Sequence, residues 1–277
     1  KRDLLNDSKI RDKSLLIDVG SGKGGDLTKF GKFSKVLMIE PDEENIQDLA
    51  IRSERYNNIS ILKSTFEESE RVINSVKSFL PSMIQGKIYL SFMFSMTFFA
   101  NPESMKKIKK TIDLINEEIT ERGGQRVEIL FVTINGEVID KILERKKYSG
   151  NNKSITLNTI QIDKYKDEPG YDITITDSAT VKRTQREYPV YLEEFFGDLE
   201  YKFTSDTYNT SNKIMSKAEK IYTASVSFGF AQFTGQKNYY YPRERIQVST
   251  SDAFKVDGKI YMKECDKLEP LFALGTN

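Results

Sequence analysis

Residues 16–27 read Leu16-Ile17-Asp18-Val19-Gly20-Ser21-Gly22-Lys23-Gly24-Gly25-Asp26-Leu27, an apolar run that breaks into glycines. The run predicts a buried strand. The glycines let the chain turn sharply and bring bare backbone against a ligand. A helix N-terminus after such a turn adds N–H groups. Two spacings are met at once. Gly20, Gly22 and Gly25 fit GxGxxG, the dinucleotide pattern. Gly20, Gly22 and Gly24 fit GxGxG, the S-adenosylmethionine (SAM) pattern. Asp18 separates them: a carboxylate two residues before the first glycine repels a pyrophosphate and suits the ammonium of SAM's methionine moiety. Glu40 ends the next apolar run, about twenty residues on, where an acid pairs with ribose hydroxyls. A dinucleotide site, or a structural turn with a capping acid and no cofactor, are the alternatives.

Outward from this turn, strands and helices alternate. Apolar runs predict strands at Ser14–Val19, Val36–Glu40, Ile59–Lys63, Lys87–Phe94 and Val127–Thr133. Helices are expected at Gly25–Gly31, Asp42–Tyr56, Glu67–Leu80, Pro102–Arg122 and Gly136–Arg145. Asp42 caps the second of these, and Pro81 stops the third. The longest has the stripe Met105, Ile108, Ile112, Ile115 and Ile119, with Pro102 in its first turn. Such alternation with continuous apolar strands predicts an α/β fold: a mostly parallel sheet with helices on both faces. The second half differs. Lys146–Gly170 is polar and reads as a mobile connection, Tyr171–Thr176 as a strand, and Tyr188–Phe196 as a short helix. Leu199–Ser205 and Ile221–Phe230 read as strands that close the sheet as an antiparallel hairpin. Gly235–Asn277 has no strong periodicity and reads as a tail packed on the domain or awaiting a partner.

Composition narrows the chemistry. The 277 residues contain no histidine. That removes Ser–His–Asp triads, Cys–His dyads, HExxH zinc sites and the His₂–carboxylate iron site. Cys265 is the single cysteine, so neither an internal disulfide nor a multi-Cys zinc site is available. No metal is expected. With 42 Lys+Arg against 41 Asp+Glu there is no general attraction to nucleic acid, which leaves a local basic groove as the route to RNA. The best basic clusters are Lys106, Lys107, Lys109 and Lys110, and Arg145 to Lys147. No apolar run approaches the ~20 residues of a membrane span, and the polar N-terminus shows no secretory signal.

The stretch DVGSGKGGDL resembles DLGCGKGGDL, the signature of the mRNA cap guanine-N7 methyltransferases. The Lys-Gly-Gly-Asp continuation is more specific than the glycines alone. The pattern is similar to the methyltransferase portion of fused capping enzymes of large cytoplasmic DNA viruses, asfarvirus-like and more distantly poxvirus-like. The resemblance implies a class I SAM-dependent methyltransferase with a seven-stranded sheet over residues 1–230, and a C-terminal extension, 231–277, packed on it. It implies SAM as donor, S-adenosylhomocysteine as product, and RNA ending in GpppN as acceptor. Lys1-Arg2-Asp3-Leu4-Leu5 resembles the family's Lys-x-x-Leu-Ile, so the chain is expected to start mid-element, with triphosphatase and guanylyltransferase domains upstream. A cytoplasmic location, in a viral factory or virion, is implied too. Poxvirus members are activated by a small subunit, a role the stretch after residue 231 could fill.

Site residues follow one by one. SAM is assigned to Lys1, Asp18, Gly20, Gly22 and Asp26, with Glu40 on the ribose. Ser64, Thr65 and Phe66 stand where the family places an Asp for the adenine amino group, and Ser91 completes the pocket. Arg55-Tyr56 matches an Arg-Tyr pair whose arginine faces the cap phosphates, and Lys23 joins it. Arg186-Glu187-Tyr188-Pro189-Val190 resembles the element whose glutamate grips the guanine edge, and Tyr222 matches a tyrosine beside the base. Phe94 and Ser95 belong to the fourth-strand motif, where Ser95-Met96 replaces the family's His-Tyr pair. Methylation at N7 needs no proton removed, so a chain without histidine can perform it. Glu187 and Tyr222 are the catalytic candidates. Another SAM methyltransferase, acting on a small molecule or a ribose 2′-oxygen, and a silent binding module are the competing readings. Lys255-Val256-Asp257-Gly258 spells the guanylyltransferase KxDG but reads as a turn between extended segments.

Overall fold

The computed structural model describes residues 13–136, 153–157, 160–164, 171–176, 182–188, 190–196, 200–204, 226–232, 253–256, 259–262 and 270–272. Two compact units divide the chain. The first takes Lys1–Thr133, Phe195–Lys202 and Phe228–Tyr239; the second takes Ile134–Glu194, Phe203–Ser227 and Tyr240–Asn277. The boundary expected at 230/231 falls inside a strand, Val226–Gln232.

The strands of the first half are β1 (Leu15–Val19), β2 (Lys35–Glu40), β3 (Ile59–Lys63), β4 (Ile88–Met93) and β5 (Glu128–Ile134). The second half adds β6 (Lys153–Leu157), β7 (Ile160–Lys164), β8 (Tyr171–Thr176), β9 (Lys182–Glu187), β10 (Glu200–Thr204) and β11 (Val226–Gln232). Then follow β12 (Ala253–Val256), β13 (Lys259–Met262) and β14 (Pro270–Phe272). The main sheet runs β10-β11-β5-β4-β1-β2-β3. From β3 to β5 every pairing is parallel. β1 and β4 are buried at every position because helices cover both faces. The later strand β11 lies inside β10, next to β5. This is the strand order of class I methyltransferases, the fold class expected from the sequence.

Helices α1 (Glu43–Ser53), α2 (Ser69–Phe79) and α3 (Pro102–Glu121) connect the strands. Asp42 caps α1 by accepting from Asn45 N at 2.8 Å, and Asn101 caps α3 by accepting from Ser104 N at 3.0 Å. Arg122, just past α3, ties it to α2: its guanidinium donates to Glu118 Oε1 at 2.7 Å and to the carbonyls of Leu80 at 2.8 Å and Lys77 at 3.0 Å. The core of this unit is aromatic. Phe92 meets Phe66, Phe99 and Phe195 edge-on at 5.8, 6.5 and 6.1 Å, and Phe131 meets Phe196 at 4.9 Å.

Several expectations need correction. The helix at Gly25–Gly31 shrinks to one 3-10 turn, Leu27–Lys29, because the flanking glycines favour no helix. The stretch read as a connection, 146–170, contains β6 and β7. Lys182–Glu187 was not foreseen as a strand, and the helix after it, α4, is confined to Leu192–Phe196. Strands β6 to β9 form an antiparallel sheet in which Ile155, Ile162 and Ile173 share a cross-strand row, and Thr156, Gln161, Thr174 and Thr184 share the next. The stretch without periodicity contains β12 to β14, and Val256 pairs with Lys259, while Asp257 and Gly258 lie outside the described residues. Of the helix expected at Gly136–Arg145, all but Gly136 lies outside the described residues. No described helix is long and apolar enough to cross a membrane.

Candidate functional site

The order reverses between β1 and β4: β1 leads to β2 on one side, while β4 lies on the other. In an open parallel sheet the crevice at the carboxyl ends of such a pair is the ligand site. The glycine turn leaves β1 there. Asp18 sits near the end of β1, 3% exposed, opposite Ser91 in register. Ser91 Oγ donates to Asp18 Oδ1 at 2.5 Å, which fixes the carboxylate. Glu40 ends β2, 4% exposed. Its Oε2 accepts from Gly22 N at 2.7 Å, and its Oε1 from Asp42 N at 3.1 Å and Asn45 Nδ2 at 3.2 Å. Asn45 escaped the sequence reading; its signal is its place in the first turn of α1, five residues after Glu40.

Four of the turn's amides are already committed. Gly20 N and Ser21 N donate to the Ile39 carbonyl, Gly22 N to Glu40, and Gly24 N to the Ser21 carbonyl. The turn also packs against the end of β4. Gly20 has φ +71, and a Cβ there would lie 2.5 Å from Ser95 Cβ. Ser95 is buried and its Oγ donates to the Val19 carbonyl at 2.5 Å. Ser95, assigned to the cap from sequence, therefore spends its hydroxyl on holding the turn. Its neighbour Phe94 is half-buried at φ +71, a left-handed conformation that a bulky residue rarely adopts. Strain of this kind collects at functional sites.

Other assigned residues are more dispersed. Ser64 is buried at the end of β3, its Oγ 2.9 Å from the Thr65 carbonyl and 3.1 Å from Glu68 Oε2. Thr65 is half-buried. The Phe66 ring belongs to the aromatic core, and its carbonyl accepts from Thr111. Asp26 pairs with Lys29. Lys23 Nζ lies 2.7 Å from Asp48 Oδ2 on α1, and that hydrogen bond and charge hold the Asp48 carboxyl below the usual aspartate range. Arg55 is exposed, its guanidinium 5.1 Å from the Tyr56 ring centroid. Glu187 belongs to the second unit, where it ends β9, 6% exposed and opposite Tyr171 in register. Beside it, Arg186 Nε donates to Asp172 Oδ1 at 2.5 Å. Lys1 and Tyr222 lie outside the described residues. The described residues hold no group of three or more His, Cys, Asp or Glu placed for a metal.

Two buried carboxylates beside four bonded amides favour cations and hydroxyl donors at this crevice. That is the physical test between the two glycine patterns, and it favours the donor with a positive charge and a ribose over a pyrophosphate.

No family model matches this chain, and no curated protein sequence matches it. Solved structures do. The CcbJ methyltransferase from Streptomyces caelestis is 12% identical, over 83% of this chain and 88% of that one, with a TM-score of 0.48. A SAM-dependent methyltransferase from Clostridium acetobutylicum is 10% identical, over 83% and 89%, with a TM-score of 0.46. An rRNA methylase from Streptococcus thermophilus is 16% identical, over 57% and 85%, with a TM-score of 0.33.

Proposed function

We propose that this protein is a SAM-dependent methyltransferase that methylates N7 of the guanine in GpppN-RNA. The observation that carries the donor half is the pair of buried carboxylates, Asp18 and Glu40, on the two sides of a glycine turn four of whose amides are in use. Asp18, held by Ser91, receives the donor's ammonium. Glu40 has three donors on about four acceptor positions, so it takes one more from a ribose hydroxyl. Ser64 and Thr65 meet the adenine, Asp26 supports the turn, and Lys1 takes the donor's carboxylate. SAM, when bound, supplies a methyl group already activated on a sulfonium.

The acceptor half rests on the resemblance at 16–27, 55–56 and 186–190. The guanine N7 lone pair is free at neutral pH, so the protein's task is alignment within about 3–3.5 Å and a field that tolerates positive charge on the purine. Glu187 serves both ends: it accepts from the guanine N1 and N2 hydrogens and faces the charge that develops. Tyr222 and Phe94 border the base, and Lys23 and Arg55 take the triphosphate bridge. Capped RNA is the partner, with the upstream capping domains and a small activating subunit as further ones.

The test is transfer of labelled methyl from SAM to GpppA-RNA, with the label located afterwards. Label at guanine N7 is expected. Label on a ribose oxygen, or none on RNA, overturns the acceptor assignment, while failure of wild-type protein to bind SAM overturns both halves.

A further inference from the structure

Thr133 lies near the end of β5, one position past Val132, whose carbonyl accepts from Phe94 N at 2.7 Å. Its side chain is 0% exposed. Its Oγ1 is the one buried side-chain nitrogen or oxygen among the described residues that has no hydrogen-bond partner. Buried hydroxyls are nearly always satisfied, so an unsatisfied one calls for an explanation. By strand alternation Thr133 shares a face with Phe131, whose ring packs on Phe196. A valine there would fill the same volume and leave no orphaned group.

A second cost stands beside the first. Phe94, the neighbour across the ladder, is in the left-handed region at φ +71. Both lie at the carboxyl edge of the sheet, where this fold receives its ligands. From these two adjacent departures we infer that Thr133 is an acceptor-binding residue. Its hydroxyl finds its partner in the polar edge of the methyl-accepting base, which enters as the strained Phe94 segment yields. The inference rests on the methyltransferase reading above and adds a residue to it.

The experiment compares Thr133→Val and Thr133→Ser with wild-type protein. It reads melting temperature without ligand, Kd for SAM, and KM for GpppA-RNA. Thr133→Val is expected to melt about 2–4 °C higher without ligand, because the orphaned hydroxyl is gone. Its KM for the RNA should rise about three- to tenfold at unchanged SAM affinity. Thr133→Ser keeps the hydroxyl and should keep a KM near wild type. A valine variant with wild-type KM, or one that melts lower, overturns the inference, because the hydroxyl then has a structural partner such as a buried water. A serine variant with the valine variant's KM overturns it too, since the loss is then one of packing. Wild-type protein that methylates guanine while Thr133→Val is kinetically unchanged sinks this inference alone; wild-type protein that transfers nothing to guanine sinks the functional reading and the inference together.

Discussion

The two units treat polar residues in opposite ways. In the first, β1 (LLIDV) and β4 (IYLSFM) are covered on both faces, so apolar side chains suit every position. A buried polar residue in this unit carries a desolvation cost, and Asp18, Glu40 and Ser95 each offset it with a specific partner, Ser91, Gly22 and Val19, while Thr133 alone among the described side chains has none. In the second unit, the rows of β6 to β9 alternate isoleucine with threonine and glutamine, and a polar residue at every other position is what an antiparallel sheet ordinarily carries. A polar residue is therefore a functional signal in the first unit and a weak one in the second. Asp18 could be singled out by physics. Glu187 could be singled out only by resemblance.

The largest expected effects test whether that division is also one of labour. Glu187→Ala should lower kcat for guanine methylation by roughly 10²–10³-fold, the usual loss when a group facing transition-state charge is removed. Its SAM affinity, by calorimetry, should match wild type. Asp18→Ala should do the reverse at the donor, raising Kd for SAM by roughly 10–100-fold through loss of a charged hydrogen-bonding partner. Equal losses of SAM affinity in the two variants would erase the distinction between donor and acceptor residues.

Smaller effects sharpen the contrast within the glycine turn. Gly20→Ala forces a Cβ to 2.5 Å from Ser95 Cβ at φ +71, and should destabilise the protein by about 2–3 kcal/mol in urea titrations. Gly22, at φ +54, has nothing within 4 Å of its would-be Cβ, so Gly22→Ala should cost only about 1 kcal/mol. Adding Ser95→Gly to Gly20→Ala removes the clash and should recover the steric part. If Gly20→Ala and Gly22→Ala are equally destabilising, the close approach to Ser95 is not what selects glycine at position 20.

Most of the first unit was legible because burial on both faces writes continuous apolar runs, and each run ends within a residue or two of its strand. The residues proposed for the donor stand out in sequence for the same reason: Asp18, Gly20 and Glu40 interrupt or end such runs. The second unit was legible only in part: Tyr171–Thr176 alternates in sequence and is strand β8. KSITL and IQIDK read as polar connection, yet their backbones pair without regard to side-chain polarity. Residues whose role depends on what lies across the turn were equally hidden. Ser95 stands where the resembling family's motif has its His-Tyr pair, and only its 2.5 Å hydrogen bond to the Val19 carbonyl and its closeness to Gly20, where a Cβ would clash, show it holding the turn. Thr133 reads in sequence as one more β-branched residue in an apolar strand, and its orphaned hydroxyl is visible only once every neighbour is placed.

The smallest effect concerns Lys23, which was assigned to the cap phosphates and is found on Asp48, with the two side chains 38% and 42% exposed. The hydrogen bond from Lys23, then its charge, and further the charge of Arg52, hold the Asp48 carboxyl below its ordinary range. A lowered carboxyl pKa means that the pair is intact above the usual aspartate range and is lost only as pH falls through the lowered value. At neutral pH, then, Lys23 is occupied, and a phosphate must compete with Asp48 for it. Asp48→Asn removes the competitor. It should leave stability almost unchanged, because exposed ion pairs contribute little, and tighten binding of a cap dinucleotide about two- to threefold at low salt. The gain should shrink as salt rises and vanish when Lys23→Ala is added. A gain that persists without Lys23 would assign the effect to the general charge of α1, and Lys23 would lose its place at the triphosphate.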